Sequence, residues 1–193
     1  MAGNCGKISD DIFNNCDETL VGGVKDKLTL INIDDIDTLT KNVSNPQIIE
    51  GITLITSPAA RAYVFEGQNN SIDASTNLAK GAYSVGYFHK IIFRIFGNKA
   101  AIKEQLEALA KGKTVAIVQN NFKGATGESA FEMFGMDSGL EVLEMVSDKS
   151  DADTQGAYVV TLSTNEKFKE GHLPATVFLT DFETTRDLVE ALV

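Results

Sequence analysis

The sequence predicts a mainly β domain: a sandwich or barrel of antiparallel hairpins, with one internal helix on its flank and a second helix at the C-terminus. Three observations carry this reading. Extended apolar runs follow one another, separated by short turns rich in Asp, Gly and Asn. Helical periodicity occurs only twice along the chain. Strands and helices do not alternate, which excludes a doubly wound parallel sheet. With 193 residues, 43% of them hydrophobic, the chain is globular and long enough to bury a core without disulfide or metal staples.

The elements follow in order. Residues 1–23 are rich in Asn, Asp and Gly and read as an N-terminal arm. The arm lacks the charged-then-apolar layout of a signal peptide, so synthesis in a cytoplasm is expected. It also holds both cysteines, Cys5 and Cys16, expected as free thiols. Lys27 to Ile33 alternates as a strand; Asp34, Asp35 and Asp37 open a polar stretch that ends at Asn45-Pro46. Ile48 to Thr56 and Arg61 to Glu66 are the next strands, broken by Ser57-Pro58.

Gly67 to Lys80 (GQNNSIDASTNLAK) reads as a long polar loop, of a length that is usually functional. Tyr83 to Phe96 (YSVGYFHKIIFRIF) is the longest extended run, about 45 Å at ~3.3 Å per residue. One face carries Tyr83, Val85, Tyr87, His89, Ile91, Phe93 and Ile95 and is a core face. The other mixes Phe88, Ile92 and Phe96 with Lys90 and Arg94. Phe88, Lys90, Arg94 and Phe96 are therefore candidates for contact with a neighbouring subunit.

Lys99 to Lys111 is a helix, with Ile102, Leu106 and Leu109 in one stripe and Gly112 as its stop. Strands are expected over Thr114–Phe122, Ser129–Met136, Leu140–Ser147 and Gly156–Thr164. Residues 165–193 read as a C-terminal arm and helix, the helix capped by Thr180 with Glu183 three positions on.

Chemistry is sparse. Gly124 to Ser129 is glycine-rich but has Glu128 where a phosphate loop needs lysine, and it leads into a strand. Asp151-Ala152-Asp153 opens like a calcium loop, but Leu162 stands where a bidentate glutamate is required. Asp148, Asp151 and Asp153, like Asp34, Asp35 and Asp37, are read as solvated turn carboxylates. His89 is read as a core histidine, His172 as part of the C-terminal arm. There is no Gly-x-Ser-x-Gly elbow and no Trp. The expectation is a protein that is not an enzyme, with no catalytic residue, no cofactor and no metal. A formal charge of −10 argues against gripping nucleic acid, and no apolar run is long enough for a membrane helix.

The order of these elements resembles the major tail tube subunit of long-tailed bacteriophages and the related inner-tube proteins of contractile injection systems. The segments that carry the resemblance are Ile52 to Glu66, the polar loop, YSVGYFHKIIFRIF, KAAIKEQLEALAKG and the strands TVAIVQNNF, SAFEMFGM, LEVLEMVS and GAYVVTLST. Residues 22–28 (GGVKDKL) and 153–158 (DTQGAY) look like structural proteins of phages of gut Bacteroidetes. The resemblance covers residues 24–164 and leaves the two terminal segments outside.

It implies a subunit that forms rings, hexameric in that family, which stack into a tube. Its partners would be copies of itself, other tail proteins, and double-stranded DNA passing without specific binding. Its place would be the virion tail, after synthesis in the host cytoplasm. The polar loop would reach into the adjacent ring, through Gly67, Gln68, Asn69, Asn70, Ser71, Asp73, Ser75, Thr76, Asn77 and Lys80. Two other classes fit the same composition. One is another virion component, such as a tail terminator, neck ring or capsid decoration protein. The other is a small cellular binding module or enzyme. Self-assembly of the pure protein separates them.

Overall fold

The computed structural model describes residues 11, 21–81 and 84–193. Cys5, Cys16, Tyr83 and most of the arm read over 1–23 lie outside the described residues. The fold is mainly β with flanking helices, as the sequence predicts. The strands are β1 (Val24–Asn32), β2 (Ile36–Lys41), β3 (Ile48–Leu54), β4 (Tyr63–Glu66), β5 (Ile72–Lys80) and β6 (Val85–Ile95). After helix α1 (Ala100–Leu109) come β7 (Thr114–Asn120), β8 (Phe131–Phe134), β9 (Leu140–Val146), β10 (Tyr158–Thr164), β11 (Ala175–Val177) and helix α2 (Phe182–Glu190).

β7 pairs antiparallel with β1 on one side and β8 on the other. β4 covers the far edge of β1. Beyond β8 the ladder continues through β11 and β3 to β2, with β11 and β3 parallel. The remaining strands run β9-β10-β6-β5, all antiparallel. β9 joins β7 only through Thr114 opposite Leu140. The sheet therefore folds over on itself at that single bridge.

Two cores result. In the first, Leu28 and Leu30 of β1, Ala116 and Val118 of β7 and Phe134 of β8 meet Ile91 and Phe93 of β6 and Val160 and Leu162 of β10. Leu106 of α1 closes this core, with Ile102 and Leu109 beside it. In the second, Ile31, Ile49, Val115, Ile117, Met133 and Val177 pack under Val189 and Leu192 at the C-terminal helix. β7 is buried on both faces, which is why Val115 to Val118 is apolar without alternation. His89, Ile91 and Phe93 are buried and Phe88, Lys90, Ile92 and Arg94 half-buried, so the faces of β6 fall as its alternation assigns them over residues 88–94. At the start of β6 they do not, because Val85 is exposed and Gly86 is buried against the Lys169–Glu170 segment.

Four expectations need correction. Gly67 to Lys80 is not a loop: only residues 67–71 turn, and β5 pairs with β6 over its full length, from Ile72 opposite Phe93 to Lys80 opposite Val85. Its inward positions are filled by Ile72, Ala74 and Thr76 while Asp73, Ser75 and Asn77 face water. Small and β-branched residues suffice there because β6 supplies the apolar bulk, so the composition hides the alternation. The polar stretch after Ile33 likewise holds a 3-10 turn, Ile33–Asp35, and β2, whose Ile36 and Leu39 lean on the second core.

The C-terminal segment is built into the domain. β11 lies between β3 and β8, and α2 covers the second core. The α2 cap falls one residue later than expected. The Asp181 carboxylate accepts the Thr184 N–H at 2.9 Å, and the Thr184 hydroxyl accepts the Asp181 N–H at 3.2 Å.

Candidate functional site

The residues singled out in the sequence fall into two groups along the β5–β6 hairpin. At its open end, the turn 67–71 is tied to the start of β1. The Gly67 N–H donates to the Asp26 carbonyl at 2.8 Å. The Asp26 carboxylate accepts the N–H groups of Asn70 (3.1 Å) and Ser71 (2.9 Å), and the Ser71 hydroxyl accepts the Gln68 N–H at 2.8 Å. Arg94 lies beside this turn. Its guanidinium is 3.7 Å from the Asp73 carboxylate and donates to the Ser71 carbonyl at 3.4 Å. The partner of Arg94 is thus within its own chain. Phe96 is 48% exposed at the same end.

The second group runs toward the hairpin tip. Ser75, Thr76 and Asn77 stand opposite Lys90, His89 and Phe88, and Lys80 stands opposite Val85. Lys90 forms no ion pair among the described residues, and the Lys169 ammonium lies 5.7 Å from the centre of the Phe88 ring. Leu78 and Val85, at the tip, are 62% and 61% exposed. β5 is the last strand of its half-sheet and bonds only to β6, so its outer N–H and C=O groups face away from the fold. A second open edge belongs to β4. It borders an apolar groove of about 900 Å³ against α1, lined by Tyr63, Phe65, Ile95, Ile102 and Leu109.

The buried polar groups are structural. The His89 Nδ1 accepts the Gly135 N–H at 3.1 Å, and its Nε2–H donates to the His172 carbonyl at 3.0 Å. This pairing requires the neutral tautomer with its proton on Nε2. Burial holds the imidazole below its ordinary value of 6.5, against an opposing pull from Glu170. Glu170, which sequence reasoning missed, is 1% exposed. Its carboxylate accepts the N–H groups of Asp137 (2.8 Å) and Ser138 (3.0 Å) and the Ser138 hydroxyl (2.8 Å). Its backbone pairs with Tyr87 of β6. These bonds fasten the C-terminal segment to the β8–β9 turn and to β6. Nothing around Glu170 in the sequence signals this, because its partners lie about thirty residues away.

The glycine-rich segment 124–129 is a closed turn. Glu128 folds back onto it, accepting the Thr126 hydroxyl (2.7 Å) and N–H (2.8 Å), which lowers its pKa to about 2. The Asp151 carboxylate accepts the Asp153 N–H and the Thr154 hydroxyl, and Asp35 accepts from Asn32. Among the described residues no three His, Cys, Asp or Glu side chains converge as metal ligands. Comparison with protein-family models, curated proteins and solved structures finds no match to this chain.

Proposed function

We propose that this chain is a structural virion protein, a subunit that polymerises as stacked rings into a phage tail tube that conducts DNA. The observation that carries the reading is the β5–β6 hairpin. It leaves one full strand edge unpaired and holds Leu78 and Val85 in solvent at its tip. Open edges and exposed apolar tips are liabilities that a monomer normally covers, and a ring covers them with the next subunit. The hairpin takes the role that the resemblance gives to the polar loop. Ser75, Thr76, Asn77 and Lys80 offer backbone and polar groups along its edge, and Phe88 and Lys90 lie on the adjoining face of β6.

The net charge of −10 suits a conduit. A wall that repels a polyanion lets it slide, whereas a basic wall holds it. The partners proposed are further copies in hexameric rings, other tail proteins, and passing DNA, with no cofactor and no membrane. The experiment is a Leu78→Asp, Val85→Asp double variant with Lys90→Glu as a companion. Leu78 and Val85 are exposed and Lys90 is half-buried with no ion pair among the described residues, so both variants should keep the wild-type circular dichroism spectrum. Loss of most of the assembled fraction in sedimentation is expected; unimpaired assembly of both variants would contradict the reading.

A further inference from the structure

At the end of the hairpin opposite Leu78 and Val85, the turn 67–71 and the loop 153–155 face each other across a polar groove of about 520 Å³. We propose that this groove binds a neutral carbohydrate. The inference does not depend on assembly, since the hairpin tip and the groove lie at opposite ends of β6.

The first support is backbone conformation. Asn69 (φ 54°), Asn70 (φ 58°) and Gln155 (φ 51°) are the described non-glycine residues with left-handed backbone, and all three line this groove. Asn tolerates that conformation almost as glycine does, but Gln155 does not, and non-glycine residues held there cluster at ligand-binding sites. A long amide kept at position 155, where glycine would cost nothing, points to a use for it.

The second support is what these side chains are doing. Those of Gln68, Asn69, Asn70, Asp153 and Gln155 make no hydrogen bond to the described residues, whereas the backbone N–H groups of Gln68, Asn70, Ser71, Asp153 and Gln155 are hydrogen-bonded within the chain. Asp26 holds the turn from below, and the Asp151 carbonyl accepts the Gln155 N–H at 2.9 Å. The two loops are therefore held from within the chain while their exposed side chains face the groove, and a backbone fixed in advance lowers the ordering cost of binding.

The third is chemical type. An amide offers a donor and an acceptor side by side, which a vicinal diol matches, and the Asp153 carboxylate accepts from two hydroxyls. Phe96, half-exposed on the wall, presents an apolar face of the kind that the C–H side of a sugar ring covers. The cation in the groove, Arg94, is already held by Asp73 and Ser71, so no free positive charge selects an anion. The volume lies within the ~300–1,000 Å³ of small-molecule sites.

The test is titration of the purified full chain with maltotetraose, cellotetraose, mannotetraose and chitotetraose, read by calorimetry and by saturation-transfer NMR. At least one should bind with a Kd on the order of 0.1–1 mM. Phe96→Ala should weaken that binding about tenfold or more. Asn70→Gly and Gln155→Gly delete an amide while keeping a residue suited to the same φ, so they should weaken it without loss of fold by circular dichroism. No binding of any of the four at about 10 mM would overturn the proposal. So would binding indifferent to all three substitutions, or binding of inorganic phosphate in preference to the sugars.

Discussion

His89 is buried on both sides by the sheet and by the C-terminal segment, and its imidazole is used twice as a neutral group. Protonation would put a hydrogen on Nδ1, where the Gly135 N–H already points. Because burial depresses its pKa below 6.5, the unfolded chain binds more protons than the folded one between the depressed value and 6.5. The stability this group contributes is complete above that window and is lost as the pH falls through it. The urea midpoint should therefore drop between about pH 7.5 and 5, and the drop should be smaller in His89→Gln. Equal slopes in the two proteins would contradict this. Glu128, whose pKa is lowered to about 2, acts in the same direction as the pH falls from 4.5 toward that value. Glu170 makes a sharper test of the fold. Glu170→Ala removes the buried acceptor of two part-buried N–H groups and of the Ser138 hydroxyl and should cost about 1–3 kcal/mol in chemical denaturation. A loss near zero would mean that water replaces the carboxylate. Of these two residues only His89 was legible: its place in an alternating run marks the core face, whereas the role of Glu170 comes from a turn distant in sequence.

At the scale of elements, the apolar runs read correctly wherever the sheet is buried on one or both faces, as in β1, β6 and β7. The stripe of Ile102, Leu106 and Leu109 likewise placed α1 against the first core. The sequence misled where packing partners carry the apolar bulk. β5 looks polar because its inner positions need only Ile72, Ala74 and Thr76 against β6, and β11 is three residues, too short for any period to show. For the same reason 165–193 looked separable and is not. Removing residues 180–193 should uncover Ile49, Val115, Ile117 and Met133, all almost fully buried now. The truncated chain is expected to lose its cooperative thermal transition and to bind a hydrophobic dye. A truncated chain that melts like the full one would show that α2 is an appendage.

For the whole molecule, the candidate site was legible in part. The mixed face of the long strand belongs to the β5–β6 hairpin, whose open edge only the structure reveals. The pairing of Arg94 with Asp73 and the polar groove beside it depend on how the turn 67–71 meets the loop 153–155, which no spacing in the sequence encodes. What remains at this scale is a domain with two well-filled cores and sheet edges left open at β2, β4 and β5. Its charge of −10 keeps isolated copies apart in dilute, low-salt solution, and screening at about 0.15 M salt shortens that repulsion to ~8 Å. Assembly should thus be favoured by concentration and salt. The most direct measurement is electron microscopy of the concentrated purified protein at that ionic strength. Hollow tubes of stacked rings, or single rings with a central channel, are the expected result. A monodisperse monomer at every concentration, with no ring in any field, would contradict it.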